Sequence, residues 1–288
     1  MKLSVVIPCY NVGDNIAAQL EALAGQQWSE PWEVIVADNG STDNSLQVVR
    51  EFARRLPELR IIDASGKAGA AHARNVGARA ATGDYLAFCD ADDEVAPGWI
   101  AAIGESLRKY DFVASRFDTE KLNPGWLFAT QNSPQKDGVQ KVWYPPYLSH
   151  AGACGLGVKR SLHERMGGFD ESLPFLEDTD YCFRIQLAGV KLHFAPDAII
   201  SIRYRNELGR MFNQARIWAQ YNVLIYKKYR PPEMVMPHPW RRYIRGLKYL
   251  LWSLLDAHTK AGRAAWVWRL GWQIGRLQGS IKYRVHPV

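Results

Sequence analysis

Residues 84–93 read DYLAFCDADD, an apolar run that passes directly into Asp90, Asp92 and Asp93. A short apolar run closed by turn residues is a buried strand. Upstream, residues 3–7 (LSVVI, ended by Pro8), 33–37 (EVIVA) and 59–63 (LRIID) repeat that pattern. Helical periodicity fills the gaps. Ile16, Leu20 and Leu23 recur at one spacing, Leu46, Val49 and Phe52 line a helix predicted over Ser45–Leu56, and an Ala-rich helix is predicted over Ala70–Ala81. Strands alternating with helices predict an α/β fold, with a mainly parallel sheet flanked by helices on both faces.

Downstream the pattern weakens. Residues 126–147 mix aromatics, prolines and polar residues and predict irregular structure or a hairpin. A helix is expected over 174–188 and one or two last strands over 191–203. Beyond about residue 206 the chain reads as helix, broken by a linker, RPPEMVMPHP, at 230–239. The expected organisation is a catalytic domain over 1–205 and a helical extension over 206–288.

The 288 residues are 47% hydrophobic and 23% charged, a globular composition that excludes a disordered chain, a collagen-like fibre or a disulfide miniprotein. Cys9, Cys89, Cys154 and Cys182 form no CxxC pair and read as free thiols rather than a zinc site. No secretion signal and no bilayer-length apolar run is visible, so the expected location is cytoplasmic, peripheral on the inner face of the membrane if the tail binds there. The net charge of +7 hides an asymmetry. Residues 1–200 carry 19 Lys+Arg against 26 Asp+Glu, a net −7; residues 201–288 carry 17 against 3, a net +14. An acidic core and a basic tail imply different partners.

Ligands of open α/β sheets sit at the carboxyl ends of strands. Asp38 follows the second strand, Asp90, Asp92 and Asp93 follow the fourth, and Glu177 and Asp178 open a later helix. Alternating carboxylates suit a hard divalent cation, Mg²⁺ or Mn²⁺; the plainer reading is a loop whose aspartates cap the next helix. Asp14 and Asp43 read as turn formers. Asp180 and Arg184 are spaced to pair along a helix. His150, His163 and His193 lack metal-ligand spacing and read as surface or loop residues.

SVVIPCYN, VIVADNGSTD, AHARNVGARAATGDYLAFCDADD, GGFDE and EDTDYCFR together, in this order, resemble the signature series of the bacterial-type family 2 glycosyltransferases. These are inverting, nucleotide-sugar-dependent enzymes of the GT-A fold, and the likeness covers about residues 1–205. The resemblance implies that Asp38 accepts a hydrogen bond from a uracil imide, with Pro8 and Tyr10 lining the base pocket. A carboxylate acceptor does match an N3–H donor. Asn39 stands where the family often has a second Asp and takes no role. Arg74 and Asn75 would lie near base and ribose, unless Arg74 is a surface or ion-paired arginine. Asp90 would bind the ribose or the metal's water shell and Asp92 the metal, with Asp93 supporting it or capping the next helix. Asp178 would be the general base beside Glu177. GGFDE would shape the acceptor pocket, and Arg203 and Arg205 would reach the diphosphate or form plain basic surface. Ala153-Cys154-Gly155 departs from the polar stretch often found there.

In the tail, Ile244, Leu247, Leu251 and Leu254 form one stripe and Trp266, Leu270, Ile274 and Leu277 another, and six of the eleven tryptophans lie beyond residue 200. Such helices either meet an anionic membrane surface or pack on the catalytic domain. No nucleic-acid-binding motif is present. The leading reading is transfer of a sugar from a UDP- or dTDP-sugar donor to a hydroxyl acceptor, a sugar or a lipid-linked molecule; GDP-sugars stay open. The competing classes are a nucleotidyltransferase of similar fold, disfavoured because the loop after the first strand, PCYNVGDN, has no basic residue, and a non-catalytic nucleotide-sugar-binding or membrane-scaffold protein.

Overall fold

The computed structural model describes residues 2–128, 134–233 and 239–286. In chain order the elements are β1 (Leu3–Cys9), α1 (Ile16–Ala24), β2 (Trp32–Asp38), α2 (Ser45–Glu51), β3 (Arg60–Asp63), α3 (Ala70–Ala80), β4 (Tyr85–Phe88), β5 (Glu94–Val95), α4 (Trp99–Lys109), β6 (Phe112–Asp118), α5 (Gly125–Phe128), β7 (Gln140–Lys141), β8 (Ser149–His150), β9 (Leu156–Lys159), α6 (Arg160–Arg165), α7 (Glu177–Leu187) and β10 (His193–Ser201). The chain ends in α8 (Leu208–Tyr229), α9 (Pro239–Trp252), a 3₁₀ segment (Ser253–His258) and α10 (Lys260–Tyr283). The fold is α/β of the GT-A type with C-terminal helices. The described residues form two compact units. One holds residues 2–122, 134–140 and 149–203; the other joins 123–128 and 141–148 to everything from 204 onward.

The first unit is built on an eight-stranded sheet of order β3-β2-β1-β4-β9-β6-β10-β5. The strands read from the sequence, β1 to β4, are its parallel half. β9 runs antiparallel between β4 and β6, β10 returns parallel to β6 and β5 closes the edge antiparallel. Alternation along β9 sets up two faces. Leu156 and Val158 join Val6, Phe88, Phe112, Phe169, Tyr181 and Ile185 in one core, while Gly157 lies between Val113 and Ile103 of α4. β9 therefore gives side chains to one helix layer and, at Gly157, room for α4 on the other.

Two local expectations differ. α2 stops at Glu51 rather than Leu56, its last N–H groups closing onto Val49 and Arg50 carbonyls at Phe52. His163, read as exposed, is buried against Phe88, Phe169 and Tyr181, and its Nδ1 lies 2.8 Å from the Tyr181 hydroxyl. Burial, then the charges of Arg184 and Arg79, push its pKa down to about 4, so it is a neutral core residue. Asp180 does pair with Arg184, at 2.7 Å. All four cysteines are free thiols.

Glu33 opens β2 with its side chain fully buried. It accepts hydrogen bonds from Ser4 Oγ (2.6 Å), Thr82 N and Oγ1 (2.7 Å each) and Arg60 (2.5 Å). Burial alone would raise its pKa; those donors outweigh it and hold the carboxyl down to about 2. Because the folded value lies below the unfolded one, the resulting stability is full above about pH 4.5 and is lost as the pH falls toward 2. Glu33→Gln should cost about 2–3 kcal/mol at neutral pH and flatten this acid limb, read by urea unfolding at pH 7 and pH 3. An unchanged urea midpoint at pH 7 would contradict this account.

In the second unit, α8 buries Met211, Ala215, Ala219 and Val223 along one face. The face of α10 that meets it is made of glycines. A Cβ at Gly271, Gly275 or Gly279 would fall 2.5, 2.0 or 2.9 Å from the carbonyl oxygens of Phe212, Arg216 and Gln220. The tight α8–α10 pair thus rests on absent side chains. The stripe of Trp266, Leu270, Ile274 and Leu277 is only half-buried or exposed. Residues 234–238 of the expected linker and 129–133 of the expected irregular stretch lie outside the described residues. Between 142 and 148 the chain turns through a cis Pro145–Pro146 bond, with Val142 N donating to Leu148 O.

Candidate active site

The carboxyl ends of β1, β2 and β4 carry the first part of the site. Cys9 and Asp38 are register partners, so the loops after β1 and β2 leave the sheet side by side. Asn11, at φ 49°, stitches them: its Oδ1 accepts from Thr42 N at 2.8 Å and its N donates to Ser41 Oγ at 3.1 Å. Asp38 is buried and accepts from Ser41 N at 3.1 Å, while Pro8 is half-buried and Tyr10 is 60% exposed beside this loop pair. Asp43 accepts from Ser45 and Gly13 N–H groups, the turn-forming role expected of it. Asn39 is structural: it donates to Ala64 O and Lys67 O and accepts from Gly69 N, setting the approach to α3.

Arg74, on α3, is the hub of the second part. Its guanidinium is 5% exposed and donates to Asp90 Oδ1 at 2.7 Å and to Glu177 Oε1 at 2.8 Å, over the Phe169 ring. It therefore ties the loop after β4 to the first turn of α7. Arg74 is thus an ion-paired arginine and not an exposed surface one. Asn75 faces GGFDE, donating to Phe169 O and Glu171 Oε1 and accepting from Phe169 N, all at 2.9 Å.

The DADD loop is clasped from two sides. Arg203 N donates to Asp93 Oδ1 at 2.8 Å and Arg203 Nε to Asp92 O at 3.0 Å, so Arg203 holds the loop. Gln19, a fully buried amide on α1, donates to Asp90 O at 3.1 Å and accepts from Val95 N at 2.9 Å. Asp93 is buried, and burial followed by the charges of Asp90 and Asp92 pushes its pKa well above the usual carboxylate range. Among the described residues, the ligand atoms of Asp90, Asp93 and Cys154 lie within 4.8 Å of one another. Asp92, half-buried, is outside that group.

Glu177, Asp178 and Asp180 fill the first turn of α7, where the helix dipole favours negative charge. Glu177 is pushed up to about 7 by burial and then by Asp178, against the pull of Arg74. Asp178 is held differently: Oδ1 accepts from Thr179 N at 2.6 Å and Oδ2 from Ala153 N at 3.3 Å. His150, read from sequence as a loop residue, is half-buried next to these groups, its Nδ1 3.4 Å from Thr179 Oγ1. Burial lowers its pKa, opposed by the charge of Asp178.

Of the carboxylates gathered here, Arg74 pairs with Asp90 and Glu177. An oxygen-rich donor set fits a hard divalent ion. Cys154 does not add to that set: burial, then Asp93 and Asp90, push its thiol pKa well up, and a protonated thiol is no ligand for Mg²⁺ or Mn²⁺. The sequence motifs had no signal for Gln19, a single amide on an otherwise apolar helix face.

The sequence and the fold also match known proteins. Residues 4–167 match the family model described as glycosyl transferase family 2, and residues 133–277 match glycosyl transferase family group 2. The chain is 39% identical over 127 residues to an uncharacterized glycosyltransferase, YibD, of Escherichia coli, covering 44% of this chain and 35% of that protein. It is 26% identical over 276 residues to a pre-mycofactocin glycosyltransferase of Mycobacterium tuberculosis, covering 91% and 54%. The chain thus spans about a third to a half of the length of these relatives. Among solved structures it resembles the mannosyltransferase PcManGT of Pyrobaculum calidifontis in complex with GDP-Man and Mn²⁺, with TM-score 0.67, 20% identity and coverage of 97% and 86%. Staphylococcus aureus TarS residues 1–349 in complex with UDP-GlcNAc gives TM-score 0.56, 17% identity and coverage of 99% and 93%. At those identities the structural likeness speaks for the fold, and the match over 4–167, more than half the chain, for the family: this protein belongs to glycosyl transferase family 2.

Proposed function

We propose that the chain is an inverting glycosyltransferase that moves a sugar from a nucleotide-diphosphate donor to a hydroxyl acceptor. The observation that carries this reading is the Arg74 bridge, which brings the carboxylates after β4 and those opening α7 into one site. Asp38, between Pro8 and Tyr10, offers the acceptor for a base imide, which favours uracil or thymine; guanine also presents an N–H, and adenine has no ring imide. Asp92, with Asp90 and its water shell, would hold Mg²⁺ or Mn²⁺. That ion would supply positive charge to the diphosphate as it leaves. Asp178 takes the proton of the attacking hydroxyl, and a single displacement inverts the anomeric carbon. Arg74, Gln19 and Arg203 are positioning residues that fix the loop and the helix end. The acceptor is a sugar or lipid-linked molecule at an anionic membrane surface, which the basic helical unit favours. No helix among the described residues is long and apolar enough to cross a membrane.

The test incubates the protein with UDP-, dTDP-, GDP- and ADP-sugars and Mn²⁺ or Mg²⁺ and follows slow donor hydrolysis, with calorimetry of the free nucleotides. UDP or dTDP should bind in a divalent-dependent way, and ADP at least about tenfold more weakly, the worth of one lost charge-assisted hydrogen bond. Asp92→Asn should abolish the divalent dependence with the fold intact. Equal competition by ADP and UDP would remove the base assignment; unchanged Mn²⁺-dependent binding in Asp92→Asn would remove the metal assignment.

A further inference from the structure

The helical unit contains a cavity of about 420 Å³ lined by Trp143, Arg242, Arg245, Gly246, Tyr249 and Arg276. Three of its six residues are arginines, and among the described residues none of the three has a carboxylate partner. Arg276 is 6% exposed. Its Nη1 reaches only Gln273 Oε1, at 3.3 Å, and its Nε has no hydrogen-bond partner among the described residues. Burial, and then the nearby charge of Arg242 against the help of Tyr243, lower its pKa to about 10. The guanidiniums of Arg242 and Arg276 lie 4.7 and 6.0 Å from the Trp143 ring centre. A buried cation with an unmet donor, beside two further cations, is stabilised by an anion.

The guanidinium fork selects the anion class. Arginines match phosphate oxygens with paired hydrogen bonds, and a phosphate monoester carries enough charge for several of them. The surroundings select the source. At about 100° per residue, Arg242, Arg245, Gly246 and Tyr249 share one strip of α9, while Ile244 and Leu251 share another, with Arg241 and Lys248 between. Leu251, Trp252 and Leu255 are 70–72% exposed, and Ile244 and Leu254 about half exposed. The stripe expected from the sequence is thus an outward face. A second cavity of about 310 Å³, lined by Trp268, Arg269, Trp272 and Gln273, shares Gly246 and Tyr249 with the first. Exposed apolar and Trp side chains flanked by cations, and no acidic residue on α9, complement an anionic lipid surface.

We propose that the Arg242–Arg245–Arg276 cavity binds the phosphate monoester headgroup of a membrane lipid, with the exposed α9 face and the following 3₁₀ segment resting on the acyl boundary. This rests on the membrane reading of the helical unit, not on the donor or the catalytic residues.

The test uses the full chain and phosphatidylcholine vesicles carrying phosphatidic acid or phosphatidylserine, matched in surface potential. Arg242→Gln/Arg245→Gln changes two exposed residues, and Lys227→Gln/Lys282→Gln removes the same charge elsewhere on the unit. Bulk attraction follows surface charge, whereas a built site follows the headgroup. The wild type and the lysine variant should prefer phosphatidic acid by roughly tenfold or more, and the arginine variant should lose that preference while keeping donor hydrolysis, since each fork–phosphate pair is a strong contact. Equal binding to both vesicles by the wild type, or an unchanged preference in the arginine variant, overturns the site. Binding of inorganic phosphate as tight as that of the vesicles would assign it to a free anion and overturn the lipid source. If none of the vesicles binds at any salt concentration, the membrane reading itself fails; absent donor hydrolysis with intact headgroup preference would sink only the catalytic reading.

Discussion

Asp178→Asn is expected to keep donor affinity and lower sugar transfer by roughly 10²–10⁴-fold, the usual contribution of a positioned general base. The two neighbouring carboxylates on α7 are held in different ways. Glu177 is spent on Arg74, at 2.8 Å, with its side chain 13% exposed. Asp178 is fixed by backbone N–H groups of Ala153 and Thr179 and, among the described residues, is in contact with no cation. Backbone donors orient a carboxylate without neutralising it, which leaves it able to accept a proton. Asparagine keeps the size and one acceptor oxygen but cannot take the proton, so the loss should appear in turnover. Donor binding by calorimetry, slow donor hydrolysis and transfer to the true acceptor separate these effects. Near-normal turnover with the acceptor would move the base elsewhere, and weakened donor binding would make Asp178 a donor-site residue.

The parts of the molecule legible in the sequence are those whose signal is local. β1 to β4 are short, mostly apolar runs between turn residues, and β1, β2 and β4 run into loops that the site uses. β6 and β9 carry no such local signal. In β6, Phe112–Asp118, the run is interrupted by Ser115 and Arg116; Ser115 is fully buried because its Oγ accepts from the Trp99 indole at 3.0 Å. β9 is four residues long and includes Gly157, whose missing side chain makes room for Ile103. Both features are settled by a partner far away in the chain. The same holds for the site. The carboxylates are visible as clusters, but their ordering depends on Arg74, 16 residues from Asp90 and 103 from Glu177, and on Gln19, 71 residues from Asp90. His163 differs from its expected surface position because a lone histidine carries no sign of the aromatic cage that buries it.

Arg74→Met should lower stability by about 3 kcal/mol and abolish divalent-dependent nucleotide binding. Removing one member of a buried ion pair costs about 3–5 kcal/mol because the other charge is left unpaired. The lower end applies because Asp90 is 32% exposed and water takes up part of its charge, whereas Glu177 is 13% exposed and has less recourse. Arg74→Lys keeps the charge but cannot span both carboxylates with one planar fork, so its cost should be smaller and its nucleotide binding intermediate. The source of the cost can be isolated. If the penalty is an unpaired Glu177, then adding Glu177→Gln to Arg74→Met should recover part of the lost stability, an interaction that a double-mutant cycle measures directly. Nucleotide binding should not recover in the double variant, since the loop after β4 still lacks its tie to α7. A full-strength urea midpoint in Arg74→Met, or independent additive losses in the cycle, would show that the bridge does not hold the two halves of the site together.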